Sequence, residues 1–149
     1  MNRIFQTSTL IVALALLGLA VAVYDSYAVY NNVTLWCPPP VNGCNEVALS
    51  PYARIIDLPV GYFGVAYYGV ALGLGLLMVF DAFSLPLRTA AVVVAALGVC
   101  FSIYFFYLQV AFIHAFCIYC LVSAITTVLL LAAAATQFRT MRGCGSSCC

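Results

Sequence analysis

Two pairs of cysteines carry the most reactive side chains of this 149-residue chain. The first pair stands in the motif Cys117-Ile118-Tyr119-Cys120. In a helix, residues three apart lie on one face, close enough for two thiols to form a disulfide. Such a pair takes up or releases two electrons by thiol–disulfide exchange. The motif therefore predicts a redox centre.

The second pair lies in Cys37-Pro38-Pro39-Pro40-Val41-Asn42-Gly43-Cys44. Its prolines exclude a helix, and Asn42-Gly43 is a strong turn signal, so the chain can fold back and bring the two thiols together. A structural disulfide is the commoner fate of a lone pair on an oxidising side of a membrane. Two matched pairs on the same side favour a shuttle in which one pair reduces the other.

Other chemistry is possible at the first motif. A zinc ion could use His114, Cys117 and Cys120, with Cys100 as a fourth ligand. No second CxxC motif exists and Cys100 is predicted at mid-membrane, so we predict no metal site. Covalent haem attachment needs CxxCH, and Leu121 follows instead. We interpret His114 as an interfacial residue with a local hydrogen bond rather than a proton carrier, and Cys100 as a buried small hydrophobe.

The composition requires that these thiols sit at a membrane. Hydrophobic residues make up 66% of the chain and charged residues 6%, whereas soluble domains carry about 25% charged residues. Four segments are long and apolar enough to span a bilayer, roughly Ile4–Tyr24, Pro59–Phe80, Thr89–Phe112 and Phe116–Ala135. The sequence therefore predicts an all-α integral membrane protein with a four-transmembrane-helix bundle.

The first segment could instead be a cleaved signal peptide, since Ala20-Val21-Ala22 is similar to a cleavage site. A single arginine precedes the segment, which favours a retained first span. The predicted membrane domain covers residues 1–138. Residues 139–149 form a predicted flexible tail containing Cys144, Cys148 and Cys149, to which we assign no role.

Charge asymmetry predicts the orientation. Four spans place both termini on one side, together with four of the five arginines: Arg3, Arg88, Arg139 and Arg142. Only Arg54 lies on the other side. By the positive-inside rule, both termini are cytoplasmic, and the outer loop 25–58 and the CxxC motif face the extracytoplasmic side. An inverted topology is the alternative.

The predicted elements give the two sulfurs of the CxxC motif different surroundings. Cys117 falls at the outer start of the fourth span, where the positive end of the helix favours a thiolate. Cys120 lies one turn deeper and is more desolvated. In the outer loop, Ser50-Pro51 is typical of a helix start, which predicts a short interfacial helix over Tyr52–Ile56.

The ordered set of these features resembles the vitamin K epoxide reductase family in its prokaryotic, stand-alone form. The set comprises the loop pair Cys37 and Cys44, then Ser50, then Pro59 with Phe63-Gly64-Val65-Ala66-Tyr67, and finally the CxxC motif. The resemblance implies a four-helix membrane bundle around a quinone, capped by the loop that carries the first cysteine pair. It covers nearly the whole chain except the C-terminal tail.

The resemblance also implies roles for individual residues. Cys37 and Cys44 would exchange electrons with a separate thioredoxin-like protein, and Cys44 would pass them to Cys117. Cys120 would then reduce a membrane quinone, either ubiquinone or menaquinone. The implied quinone pocket contains Ser50, Val60, Phe63, Tyr67 and Ala124.

This chain departs from the vertebrate members of the family. They have an Asn on the second span and a Tyr after the CxxC motif, where this chain has Val60 and Ala124. The resemblance therefore implies a quinone-dependent, disulfide-generating oxidoreductase. A vitamin K epoxide reductase of the same fold is one alternative. A non-enzymatic four-span protein with structural disulfides is another.

Overall fold

Four long apolar helices form the protein. In the computed structural model, residues 2–39, 43–55, 58–81 and 84–144 are described. Within them, the four helices able to cross a membrane are α1 (Asn2–Tyr30), α3 (Val60–Phe80), α4 (Leu85–Leu108) and α5 (Ile118–Cys144). The predicted fold class, a four-span membrane bundle, is confirmed.

The helices pack in a ring, because α1 contacts α3 and α5 while α4 contacts α5 and α3. Small side chains dominate the core between them, including Ala15, Ala71, Ala95, Ala133 and Ala134. Such residues allow helix backbones to approach closely, which is the main source of packing energy inside a bilayer.

Helix α1 continues to Tyr30, so the outer loop begins later than the predicted position 25. An asparagine cap explains the end of the helix. Asn32 adopts a left-handed conformation with φ 53°, and the backbone N–H of Val33 donates to the carbonyl of Ala28 at 2.9 Å. This 6→1 bond is the usual closure of a helix C-terminus. Asp25, predicted in the loop, consequently lies inside α1.

The outer loop contains a helix where none was predicted. Helix α2 spans Cys44–Leu49 and is followed by a 3₁₀ turn, Pro51–Ala53. The predicted interfacial helix over Tyr52–Ile56 is only partly formed: Tyr52 and Ala53 lie in the 3₁₀ turn, whereas β1 (Arg54–Ile55) pairs antiparallel with β2 (Leu58–Pro59). Ile56 lies outside the described residues. Pro51 forces the preceding residue to be extended, which ends α2 at Ser50 (ψ 150°).

The bundle is joined at the opposite end by a buried polar chain. The Arg88 guanidinium, fully enclosed, donates to Gln137 Oε1 at 2.9 Å. Gln137 Nε2 donates to Ser8 Oγ at 2.9 Å, and Ser8 Oγ lies 3.5 Å from the Met78 carbonyl. All four spans are therefore linked at one level. Arg88 was predicted in a connection, but it belongs to the first turn of α4 because the helix starts at Leu85.

Helix α5 continues past the predicted end of its span at Ala135 and reaches Cys144. Residues 139–144 of the predicted tail are thus helical. Residues 145–149, with Cys148 and Cys149, lie outside the described part of the chain. The third predicted span ends close to its expected position, since a π-helical segment, Gln109–Ile113, extends α4.

Candidate functional site

The outer cysteine pair forms a disulfide. Cys37 and Cys44 are bonded, with their Cα atoms 6.1 Å apart. The segment before Cys37 is fixed by Asn45 of α2, whose Oδ1 accepts the backbone N–H of Leu35 at 2.8 Å. Cys44 is fully buried, whereas Cys37 is only half-buried. Cys37 is therefore the more accessible residue of the disulfide.

The inner pair is reduced and lies at the start of α5. Cys117 precedes the helix and Cys120 lies in its first turn. A hydrogen bond from the Cys120 thiol lowers the pKa of the Cys117 thiol, and the backbone N–H groups of Cys120 and Tyr119 act in the same direction. Burial and the nearby Asp25 carboxyl oppose this effect. Together these effects lower the pKa of the Cys117 thiol, which favours a thiolate there, as the helix-start position predicts.

The structure contradicts the prediction at Cys117 but not at Cys120. Cys117, predicted to be the shallow and accessible residue, is only 1% exposed. Cys120 lies one turn deeper, as predicted, and lines an internal cavity. The outer loop explains the difference, because α2 covers Cys117 and encloses it in one apolar cluster with Cys44.

The two cysteine pairs meet where Gly43 touches the chain just before Cys117. A Cβ atom placed on Gly43 would lie 2.7 Å from the Ala115 Cβ and 2.8 Å from the Phe116 backbone nitrogen. The backbone beside Cys44 therefore packs directly on the backbone beside Cys117. This close contact brings the outer and inner pairs together.

We expect Gly43→Ala to slow electron transfer between the two pairs by about 10- to 100-fold, because the added methyl group pushes the loop away and exchange tolerates little displacement. The matched control is Gly69→Ala on α3, where a Cβ meets nothing within 4 Å. Rapid mixing of the fully oxidised protein with excess reduced thioredoxin-like protein, followed by acid quenching and alkylation of the inner thiols, measures the rate. Equal rates in both variants would show that the close contact is unimportant.

A π-helical segment positions Cys117 from the other side. Gln109 opens this segment, is 3% exposed, and accepts the backbone N–H of Cys117 through Oε1 at 3.0 Å. His114 ends the segment in a left-handed conformation. Its Nδ1 donates to the Val110 carbonyl at 2.9 Å, which is the local hydrogen bond expected of it. Among the described residues, no group of three or more His, Cys, Asp and Glu is arranged to hold a metal ion.

Tyr119, between the two inner cysteines, ties them to the outer loop. Its hydroxyl donates to the Trp36 carbonyl at 2.6 Å, next to Cys37 in the chain. Its ring also packs on Tyr24 of α1, with centroids 5.3 Å apart. Tyr119 therefore holds the first turn of α5 against both the loop and α1.

A cavity of about 370 Å³ extends from the inner cysteines into the bundle, with a predominantly apolar lining. Its size lies within the range of small-molecule sites, about 300–1,000 Å³. All five residues predicted for the quinone pocket line it: Ser50, Val60, Phe63, Tyr67 and Ala124. That they bind quinone stays a prediction.

Polar groups in the cavity differ in whether they already have a hydrogen-bond partner. The Tyr68 hydroxyl donates to the Ser123 carbonyl at 3.0 Å, and the Ser50 hydroxyl donates to the Val47 carbonyl at 2.8 Å. By contrast, the Tyr67 hydroxyl is buried over Gly98 and has no hydrogen-bond partner among the described residues. Buried hydroxyls are rarely left unpaired, so Tyr67 is the group best placed to bind a polar atom of a ligand.

Sequence reasoning missed two residues of the site, Asp25 and Gln109. Both line the cavity together with Cys117. Asp25 was predicted to be the first residue of the outer loop. A signal was present in the sequence, since an apolar stretch free of Gly and Pro continues beyond it to Asn31. Nothing in the sequence points to Gln109, whose role depends on the π-helical segment.

These features define a class of protein: a multi-pass membrane oxidoreductase in which a loop disulfide lies over a second cysteine pair at the edge of an apolar cavity. A model of the Vitamin K epoxide reductase family matches residues 9–135, and the chain belongs to this family. Membership implies membrane redox chemistry related to disulfides, and the family generally uses quinone. No curated protein sequence matches the chain.

Proposed function

We propose that this protein generates disulfides in a separate thioredoxin-like protein and passes the electrons through Cys37/Cys44 and then Cys117/Cys120 to a membrane quinone. One observation carries the proposal. Cys44 and Cys117 share one buried cluster, while Cys37 is partly accessible and Cys120 lines the cavity. The four sulfurs therefore form a path from the loop surface to the interior of the bundle.

The exposure of the cysteines supports the following order of exchange. A thiolate of the partner attacks Cys37 and releases Cys44, and the second partner thiol then completes the reduction of the loop pair. The Cys44 thiolate attacks Cys117 of the oxidised inner pair, and Cys120 leaves. Cys37 finally attacks Cys44, which restores the loop disulfide and frees both inner thiols. The structure corresponds to this last state, with Cys37 and Cys44 bonded and the inner pair free.

The cavity fits a quinone ring. A bound quinone supplies an acceptor for two electrons and two protons. Cys120 lies at the cavity wall, and the Tyr67 hydroxyl is free to donate to a ring carbonyl. The Ser50 hydroxyl proton is committed to Val47, so Ser50 is a weaker candidate for this bond. The apolar side chains of Val60 and Ala124 favour ubiquinone or menaquinone over an epoxide substrate.

The proposed orientation places the cysteine pairs on the extracytoplasmic side. Exposed Arg54 is on their side of the bundle, and Arg139 is at the other end. A membrane-impermeant maleimide applied to intact, reductant-treated cells should label Cys37. Labelling of Cys37 only after the cells are opened would indicate the inverted topology.

The decisive experiment uses purified protein in lipid nanodiscs, a reduced thioredoxin-like protein, and a ubiquinone or menaquinone analogue. We expect one partner disulfide to form for each quinol produced. Quinone absorbance and the thiol content of the partner measure the two products. If quinone leaves the redox state of all four cysteines unchanged, the two pairs are structural and the proposal is wrong. Replacement of quinone by vitamin K epoxide tests the related activity.

A further inference from the structure

Asp25 is a carboxyl group inside an apolar cavity and is not used in the path described above. It lies on α1 within the first span and lines the same cavity as Cys117 and Cys120. Its Oδ2 packs against the start of α3, since a Cβ on Gly61 would lie 3.1 Å from it. The carboxylate has no hydrogen bond or ion pair with the described residues, and no Arg, Lys or His lines the cavity.

A carboxylate without a cation is costly to bury. Burial in an apolar cavity penalises the ionised form of a carboxyl group, and the neutral form carries a proton. The negative charge that Asp25 acquires on losing that proton acts on Cys117, because it raises the pKa of the Cys117 thiol. Asp25 and the inner cysteines are thus close enough for the charge of one to affect the other.

The remaining titratable groups around Asp25 are poorer proton carriers. Helix α3 contributes Tyr67 and Tyr68 to the cavity, and the outer loop contributes Tyr52. Helix α4 contributes no titratable group to it. The start of α5 contributes Tyr119 and the two cysteines. The hydroxyl protons of Tyr68 and Tyr119 are held by backbone carbonyls. Tyrosine hydroxyls also ionise near pH 10, far above a carboxyl group.

Quinone reduction by a dithiol requires proton movement inside this cavity. Oxidation of two thiols to a disulfide releases two protons and two electrons, and reduction of quinone to quinol takes up two of each. Water is scarce in an apolar cavity, so the protons need a carrier on the protein.

We propose that Asp25 is the proton carrier between the inner cysteines and a quinone oxygen, an inference that rests on the proposed quinone reductase function. Its carboxyl group donates a proton to one quinone oxygen as the thiol electrons leave. The carboxylate then takes a thiol proton as the Cys117–Cys120 disulfide forms. The second thiol proton goes to the other oxygen. The sum is dithiol plus quinone giving disulfide plus quinol, with Asp25 ending as it began.

Asp25→Asn keeps the shape and removes the transferable proton. We expect quinone reduction to slow about 100-fold or more, as for the loss of a general acid. Reduction of the inner pair by the thioredoxin-like partner needs no proton from Asp25 and should change far less than quinone reduction. The wild-type rate of quinone reduction should fall at high pH, where Asp25 is ionised, and the variant should lack this falling limb.

A second readout does not depend on turnover. In Asp25→Asn, the pH at which the Cys117 thiolate is half-formed, followed by its ultraviolet absorbance against a Cys117→Ala variant, should move lower, because a negative charge that raises its pKa is gone. Asp25→Glu retains a carboxyl group and should recover both turnover and the falling limb.

The outcomes separate the two proposals. If wild type reduces no quinone, the proposed function fails, whatever Asp25 does. If wild type reduces quinone and Asp25→Asn matches it in rate and pH profile, Asp25 is not the carrier. If Asp25→Asn is inactive because it fails to fold or to bind a quinone analogue, Asp25→Glu decides: restored turnover with the falling limb supports the proposal, and no restoration contradicts it.

Discussion

Replacement of Cys120 by alanine should lower quinone reduction by at least about 1,000-fold, as expected when the reacting nucleophile of a catalytic unit is removed. Cys120 is the inner sulfur that lines the cavity. Without it, Cys117 can still attack the loop disulfide, and the bond it forms with Cys44 is then broken only when Cys37 attacks Cys44 in the reverse reaction. A fraction of the protein should therefore carry a Cys44–Cys117 disulfide, which mass spectrometry of non-reduced peptides detects.

Cys100→Ala is the matched control for this experiment. Cys100 is a free cysteine in α4 but is exposed on the lipid-facing surface, not buried as predicted. Its replacement should leave quinone reduction unchanged. Full turnover in Cys120→Ala would refute the proposed path.

Cys37→Ala should distinguish between two electron donors, the thioredoxin-like partner and a small dithiol. Turnover driven by the thioredoxin-like partner should fall at least about 100-fold, since the partly accessible sulfur that it attacks is gone and Cys44 is fully buried. Turnover driven by a small dithiol such as dithiothreitol should persist, because a small molecule can enter the cavity and reduce the inner pair directly.

The comparison of the two donors on the same Cys37→Ala preparation is its own control for folding. A preparation that has lost both activities is misfolded or has lost the inner site. The hydrogen bond from the Tyr119 hydroxyl to the Trp36 carbonyl connects the outer loop to the inner cysteines, so the comparison also detects damage to the loop. Retention of partner-driven turnover would mean that the partner bypasses the loop and reaches Cys117 or Cys120 itself.

The sequence predicted the membrane bundle because its signals are strong. Four apolar stretches and a near absence of charge leave few other folds. The pairing of Cys37 with Cys44 was predictable for a local reason, since Asn42-Gly43 marks a turn between them. These features depend on composition and on residues close together in the chain.

The features that sequence reasoning missed depend on long-range packing. Cys117 looks accessible at a helix start, and only the cover provided by α2 buries it. Asp25 looks like the end of a span until the asparagine cap at Asn32 extends α1 past it. The bond from Gln109 to Cys117 requires the wider turn of a π-helix. Only the extension of α1 has a local signature, the apolar stretch that continues past Asp25. The burial of Cys117 and the bond from Gln109 have none.

The buried chain through Arg88 bears on how the protein is assembled. Its partner Gln137 lies on the last span, and Gln137 in turn contacts Ser8 on the first, 129 residues away in sequence. Until α5 has entered the membrane, Gln137 is not available to Arg88, so we expect the charge of Arg88 to stay at the membrane surface and to anchor the start of α4 there. In the finished bundle the same arginine helps to join the spans. Closure of the four spans should be among the last events of biogenesis.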